Sequence, residues 1–303
     1  MKIVVTVPAY NEEATIAAVI KDIKETMNRN RYNYLVLVVD DGSRDRTKEA
    51  AKKAGAIVYS HPKNLGLAET FRSEVKKCIE LNADIIVHTD ADGQYRAEDI
   101  PKLIKEIQKG NDLVLGSRFL GKIEEMPLIK RMGNRAFSKV ISNITGQKIS
   151  DGQTGFRAFT REFAEKVRII SDHTYTQEQI ITGIKNKFKV SEVPIYFGRR
   201  KAGKSRLMKN PFEYAAKAWL NIFRVYRDNE PIRFFGFFGT VFMIIAALAG
   251  LVLLGKFIYL GYPNGFWDER LPKLVLIAIV FIAGIQILFF GMLADMIKEI
   301  RRK

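Results

Sequence analysis

Two carboxylates one residue apart, Asp90 and Asp92, close the apolar run Ile85-Ile86-Val87-His88-Thr89, and Gln94 follows at the same spacing. Oxygen donors so arranged suit a hard cation such as Mg²⁺ or Mn²⁺, with Gln94 able to add a neutral oxygen. The run reads as a buried parallel strand, and open α/β sheets bind ligands at the C-terminal ends of such strands. The chemistry indicated is metal-assisted transfer from a nucleotide-linked substrate.

Two further strand ends carry polar residues. Pro8-Ala9-Tyr10-Asn11-Glu12-Glu13 follows the apolar strand Lys2–Val7, and Asp40-Asp41-Gly42-Ser43 follows Leu35–Val39. With Asp90–Gln94, these loops are expected to converge at the C-terminal edge of the sheet and outline a nucleotide pocket. Tyr10 suits stacking on a base, and Asp41 or Glu12 suits accepting hydrogen bonds from base or ribose. Asp92 is the expected metal holder on a diphosphate, with Asp90 supporting it directly or toward the ribose. A strand-end Asp also commonly caps the next helix, so that reading competes for Asp40 or Asp41 taken alone.

Two basic stretches offer further phosphate sites, because Arg binds phosphate bidentately. One is Ser117-Arg118 with Arg131 and Asn134; the other is Arg199, Arg200, Lys204 and Arg206. General attraction to anionic lipid is the competing reading of the second. Gly198–Ser205 also satisfies G-x-x-x-x-G-K-[ST]. Pro211 limits any helix opening at Lys204-Ser205 to about two turns, which argues against an NTPase phosphate loop.

The elements that must position these groups alternate. Helical periodicity runs from about Ala14 to Met27, then from a cap at Ser43 or Asp45 up to Gly55, with a short strand at Ala56–Tyr59. Asn64-Leu65-Gly66 turns into a helix over Ala68–Asn82, and Asp99–Gln108 forms another, started near Pro101. Leu113–Gly116 is a further strand, and Ile129–Ile141 is helical. Turn-rich Asp151–Arg157 leads into Phe159-Thr160 and another helix; Tyr175–Asn186 is helical, with Gln177, Glu178 and Gln179 at its start. Val190–Phe197 is an edge-like strand, since it holds Pro194. Strand–helix alternation with short turns is the signature of a doubly wound α/β domain.

A formal charge of +16 argues for an anionic partner. Between Arg199 and Arg227 lie nine Lys or Arg and one acidic residue, Glu213, interleaved from Pro211 onward with Phe212, Tyr214, Trp219, Phe223 and Tyr226. This suits an amphipathic helix at an anionic lipid surface, a solvated basic helix being the alternative. Residues 234–254 and 274–294 are each 21 residues without a charge, the ~20 needed to cross a bilayer; two buried helices of a soluble bundle would be the alternative. Basic flanks on both sides of the hairpin place both termini in the cytoplasm. No signal peptide is visible, so the first domain is expected to stay there. The chain thus divides into a globular domain over 1–210, an interfacial helix over 211–232, two spans within 233–295 and a basic tail over 296–303. Charge concentrated beside the spans explains +16 without nucleic acid. Gly236, Gly239, Gly250 and Gly284 permit close helix contacts, self-association included. The single cysteine, Cys78, excludes an intrachain disulfide and reads as a buried small hydrophobe.

In order, VPAYNE (Val7–Glu12), VDDGSRDRT (Val39–Thr47), NLG (Asn64–Gly66), DADGQ (Asp90–Gln94), GSR (Gly116–Arg118), TGFRAF (Thr154–Phe159) and the VPIYF-to-KSRL run ending at Leu207 form a specific set. Over about residues 1–230 the chain resembles family 2 glycosyltransferases of the GT-A fold, and most closely the polyprenyl-phosphate sugar synthases, such as dolichyl-phosphate mannose synthase. The resemblance implies a nucleotide-sugar-binding α/β domain with a mostly parallel central sheet, followed by the amphipathic helix and the transmembrane hairpin. It implies that Asp41 and the Pro8–Glu12 loop bind base and ribose, with Asp40 and Gly42 completing that turn. Asp90, Asp92 and Gln94 would form a Mg²⁺ or Mn²⁺ site on the donor diphosphate. Arg118, Arg131 and the Arg200–Lys204 loop, closed by Ser205, would bind phosphates of donor or lipid acceptor. Many relatives have DADLQHP where this chain has DADGQYR, which alters the sugar pocket and leaves the carboxylates intact. Asp151 falls where relatives usually carry a carboxylate; it is a candidate to orient the acceptor or act as base, and Glu178 competes.

The implied reaction is inverting transfer of a hexose from a nucleotide sugar to dolichyl or another polyprenyl phosphate. GDP-mannose is the first-choice donor; UDP-glucose or another UDP-linked hexose or N-acetylhexosamine is the alternative. Rival readings are a transferase making glycolipid or polysaccharide, and a non-catalytic membrane-anchored nucleotide-sugar binder.

Overall fold

Branched and leucine-rich segments pair into one seven-stranded sheet in the computed structural model, which describes residues 1–167, 169, 175–199, 220, 223–260 and 266–302. The strands are β1 (Ile3–Ala9), β2 (Tyr34–Asp40), β3 (Ile57–Ser60), β4 (Ile85–His88), β5 (Leu113–Ile123), β6 (Arg157–Thr160) and β7 (Val190–Phe197), in the order β3-β2-β1-β4-β6-β5-β7. All neighbouring pairs are parallel except those of β6, which runs antiparallel to β4 and β5. β7 does lie at an edge, and Pro194 is exposed there, where its missing N–H leaves no ladder bond unmade.

Helices α1 (Ile16–Arg29), α2 (Thr47–Lys53), α3 (Leu67–Glu80), α4 (Ile100–Gln108), α5 (Leu128–Thr145), α6 (Arg161–Lys166) and α7 (Thr176–Lys185) connect these strands. Every residue of β4 is buried, as its unbroken apolar run requires. One core gathers Val5, Val7, Val38 and Val87 from the sheet, Ile16, Ile20 and Ile23 from α1, and Leu103 and Ile104 from α4.

Two elements differ from the sequence expectation. Arg157–Thr160, read as the end of a turn and, at Phe159-Thr160, a lead-in to a helix, is the interior antiparallel strand β6; four residues between turn and helix carry too little periodicity to show it. The strand beginning at Leu113 does not stop at Gly116. It breaks register between Ser117 and Lys122 and continues along β7 to Ile123. The cap expected at Ser43 or Asp45 is not formed: Arg46 holds the N-cap position of α2 without a side-chain cap bond, Asp45 Oδ1 accepts from the Thr47 N–H at 3.0 Å one residue further out, and Ser43 turns to the neighbouring loop.

The chain forms two compact units, Met1–Ala215 and Ala216–Lys303. The interfacial helix expected over 211–232 lies mostly outside the described residues, of which 223–229 are helical. In the second unit α8 (Pro231–Leu260) and α9 (Phe266–Arg302) pack on each other. Within them, Pro231–Tyr259 and Leu271–Ile300 are long and apolar enough to cross a membrane. Their backbones approach at glycine: a Cβ on Gly239 would lie 2.7 Å from the Gly284 carbonyl oxygen, and one on Gly284 would lie 2.9 Å from that of Gly239. The close approach read from these two glycines is thus made within the hairpin. Gly284→Val should therefore force the helices apart, at a cost of about 1–3 kcal/mol, seen as a lower Tm of the detergent-solubilised protein. Gly236→Val, with nothing within 4 Å of its Cβ, should leave Tm unchanged; equal effects would refute the glycine contact.

Candidate nucleotide and metal site

Because β2, β1 and β4 are adjacent and parallel, their C-terminal loops meet at one sheet edge. The first two loops are stitched together. The Asn11 N–H donates to Ser43 Oγ at 2.9 Å, the Arg44 N–H to Asn11 Oδ1 at 2.8 Å, and the Glu12 N–H to Thr47 Oγ1 at 2.8 Å. Pro8, Tyr10, Asn11 and Glu12 are half-buried along this seam. Gly42 sits at φ +69°, and a Cβ there would strike the Lys63 backbone.

Both strand-end aspartates are buried and engaged. Asp40 Oδ1 accepts from the Ser43 N–H at 3.1 Å, closing its own turn. Asp41 Oδ1 accepts from the Leu65 N–H at 2.8 Å and lies 2.8 Å from His61 Nδ1, while Oδ2 accepts from the Gly66 N–H at 2.9 Å. Asp41 thereby fixes the Asn64–Gly66 turn that opens α3. His61, whose Nε2 meets Ser73 Oγ at 2.9 Å, had no spacing signal in the sequence that marked it as Asp41's partner.

At the end of β4, the Gln94 N–H donates to Asp92 Oδ1 at 3.0 Å. Gln94 Nε2 donates to the Gly198 carbonyl at 3.0 Å, so its amide nitrogen is committed to the end of β7 and Oε1 is the atom left to offer a cation. A Cβ on Gly155 would come within 2.9 Å of Asp90 Oδ1, so TGFRAF brings bare backbone against the carboxylate. Tyr95 is stacked on Phe156, and its hydroxyl oxygen accepts from the Gly155 N–H at 3.1 Å. Burial pushes that hydroxyl up to about 12. Burial, and then the neighbouring charge of Asp92, push Asp90 up to about 6, against the opposing pull of His88 and Arg118. Behind this loop lies a polar network within the core. Tyr175 Oη meets His88 Nε2 at 2.7 Å, His88 Nδ1 lies 3.1 Å from Glu74 Oε2, and Thr6 Oγ1 donates to Glu74 Oε1 at 2.9 Å.

The antiparallel direction of β6 returns residues 151–156 to the same edge. Arg118, 4 % exposed, is clamped there by Asp151: Nε to Oδ2 at 2.7 Å, Nη2 to Oδ1 at 2.8 Å, and the Arg118 N–H to Oδ2 at 3.0 Å. Burial opposes the guanidinium charge, but Tyr95, Asp151 and Asp90 more than offset it and raise its pKa. Glu192 on β7, not singled out from sequence, holds the clamp's loop by accepting from the Ser150 and Asp151 N–H groups at 2.8 and 3.1 Å. Arg131 is exposed on α5 and Glu178 is half-buried in the first turn of α7. Arg200, Lys204 and Ser205 lie outside the described residues.

Among the described residues no cluster of three or more His, Cys, Asp or Glu converges to hold a metal ion. A carboxylate raised first by burial and then by its neighbour's charge nonetheless fits a hard divalent cation, which would relieve that charge.

Residues 4–168 match the family model described as glycosyl transferase family 2. The chain is 32% identical to a dolichol-phosphate mannosyltransferase of Pyrococcus furiosus, over 87% of this chain and 74% of that one. It is 33% identical to a UDP-N-acetylglucosamine–dolichyl-phosphate N-acetylglucosaminyltransferase of Methanococcus voltae, over 62% and 82%. Among solved structures, the glucosyl-3-phosphoglycerate synthase of Mycobacterium tuberculosis with Mn²⁺, UDP and phosphoglyceric acid superposes with a TM-score of 0.57 at 19% identity, covering 73% of this chain and 78% of that one. The shared fold is the GT-A arrangement of sheet and helices.

Asp90's raised pKa has a thermodynamic consequence. Its ordinary value is 3.8 and its folded value about 6, so ionising it costs folding stability: the penalty is absent below pH 4 and complete above pH 6. In chelator, Asp92→Asn removes the repulsion but not the burial that is the larger cause, so it should stabilise the protein at pH 7 by about 1 kcal/mol, with the gain vanishing near pH 4. A variant-minus-wild-type Tm difference that is flat with pH would contradict this.

Proposed function

The chain belongs to glycosyl transferase family 2, and on that premise we propose that it transfers a hexose from a nucleotide sugar to dolichyl or another polyprenyl phosphate. The observation that carries this reading is one sheet edge bearing both a carboxylate pair suited to a cation, Asp90 and Asp92, and a buried guanidinium, Arg118. A diphosphate donor and a phosphate acceptor need both kinds of group. The two apolar helices then serve to keep the enzyme where a lipid acceptor resides, as a two-span membrane hairpin with the catalytic domain and both termini cytoplasmic. GDP-mannose is the proposed donor. UDP-N-acetylglucosamine is the second reading, supported by the N-acetylglucosaminyltransferase relative.

The chain's residues divide the work by charge. The stitched loops Pro8–Glu12 and Asp40–Ser43 hold the base and ribose, with Asp41 keeping the Asn64–Gly66 turn in place beside them. Asp90, Asp92 and Gln94 Oε1 would hold Mg²⁺ or Mn²⁺. When bound, that ion neutralises charge growing on the leaving diphosphate. Arg118 and Arg131, joined by Arg200 and Lys204, bind phosphate and orient the acceptor. An acceptor phosphate oxygen attacks the anomeric carbon opposite the leaving group, inverting its configuration. A phosphate with a second pKa of about 6 is already largely ionised at neutral pH, so no strong base is required. Asp151 spends both oxygens on Arg118, so we assign it a positioning role; Glu178 remains the candidate for contact with the acceptor.

The direct test is product mass after incubating the purified full-length protein with a panel of GDP- and UDP-sugars, one polyprenyl phosphate and Mn²⁺ or Mg²⁺. A hexosyl-phosphoryl-polyprenol is expected, and absence of any lipid-linked sugar with every donor would refute the reading. Asp92→Asn should lower turnover by roughly 10³-fold. Asp151→Asn should lower kcat/KM roughly 10- to 100-fold through Arg118 while leaving the shape of the pH profile unchanged. Loss of the acidic limb of that profile would instead make Asp151 the base.

A further inference from the structure

One face of α5 exposes large apolar side chains. Leu128 is 74% exposed, Ile129 45% and Met132 70%, and Leu120, at the projecting end of β5, is 54% exposed. The opposite face of the same helix, Phe137, Ser138, Ile141 and Ile144, is buried. Helical spacing sets Leu128 and Met132 one turn apart on the outer side, followed along it by Arg135 and Lys139. Arg135 lies over the Phe119 ring at 5.3 Å, tying the helix to the β5 tip that also carries Lys122. α5 contains no acidic residue. The two acids just before it are engaged: Tyr196 Oη donates to Glu124 at 2.6 Å, and Arg199 Nε pairs with Glu125 at 2.8 Å.

Large apolar side chains clustered on a surface mark an interaction site. A short apolar ridge flanked by Arg and Lys on a helix without acidic residues has the composition of a surface that lies in the headgroup region of an anionic bilayer. We propose that the outer face of α5 and the β5 tip form a second membrane contact, separate from the helical hairpin. Leu128, Ile129 and Met132 enter the boundary between headgroups and acyl chains, while Lys122, Arg135 and Lys139 meet lipid phosphates. This contact would hold the catalytic domain in one orientation, with the helix that bears Arg131 at the lipid surface. The proposal goes beyond the transfer reaction and rests only on the reading that the hairpin spans the bilayer.

Cys78 is fully buried and its thiol is pushed up by burial, so single introduced cysteines can be spin-labelled on the full-length protein. Met132→Cys, Leu128→Cys and, as a water-facing reference, Lys52→Cys are labelled in nanodiscs of phosphatidylcholine with phosphatidylglycerol. Leu248→Cys, on exposed α8 surface, reports separately whether the hairpin is in lipid. Labels at 128 and 132 should show an oxygen-to-nickel-chelate accessibility ratio about fivefold or more above the reference, falling in phosphatidylcholine alone. Ratios equal to that at Lys52 would overturn the proposal while Leu248 still reads lipid. Shielding from both reagents would also overturn it, indicating a second protein copy on this face. No step of the experiment requires turnover, so its failure and failure of the transferase reading are distinguishable.

Discussion

Two carboxylates held side by side at a strand tip, in a buried setting, repel each other, and the surrounding architecture exists to keep them there. β4 is buried along its whole length and fixes the backbone that leads into Asp90. The Gln94 N–H locks Asp92, Tyr95 locks the Gly155 backbone against Asp90, and Gln94 ties the loop to β7. A protein gains no stability from such an arrangement, since burial and the charge of Asp92 both raise the cost of ionising Asp90. The arrangement makes sense as a half-built cation site whose other half arrives with the substrate.

The same principle extends to the cationic side of the site. A buried Arg is tolerable only when paired and hydrogen-bonded, and Asp151 supplies that pairing with two charge-assisted bonds of fixed geometry. Glu192 in turn holds the loop that carries Asp151. The guanidinium is thereby held in one geometry, which would lower the ordering cost of the phosphate binding proposed for it. Behind the carboxylates, the Glu74–His88–Tyr175 chain ties α3, β4 and the start of α7 together. It runs through the core and is only partly satisfied: His88 Nδ1 and Glu74 Oε2 lie 3.1 Å apart yet neither has a well-formed hydrogen bond among the described residues, a cost to stability in a dry interior.

Much of this was legible in the sequence because parallel sheets write themselves plainly. Apolar runs ending in Asp, alternating with helical periodicity, imply that the loops after Val7, Val39 and Thr89 share one edge, and they do. The transmembrane-length helices were equally legible from uncharged stretches. The Arg118–Asp151 pair was not, because its partners are 33 residues apart and meet only through the direction of β6, a strand too short to show periodicity. His61 and Glu192 escaped for a related reason: a hydrogen bond to a loop leaves no pattern in the chain. Asp41 was marked as a nucleotide contact, and its carboxylate oxygens are spent on the Leu65 and Gly66 N–H groups. A strand-end Asp that organises a loop looks the same in sequence as one that meets a ligand.

The most direct measurement is Mn²⁺ binding to the purified protein, followed by loss of the free-ion paramagnetic resonance signal, with and without GDP or UDP. Weak binding to the protein alone that tightens at least about tenfold with the nucleoside diphosphate, and not with Asp90→Asn, is the result expected of an incomplete oxygen site. Equal Mn²⁺ affinity with and without the diphosphate, or synergy that survives loss of the Asp90 carboxylate, would contradict it.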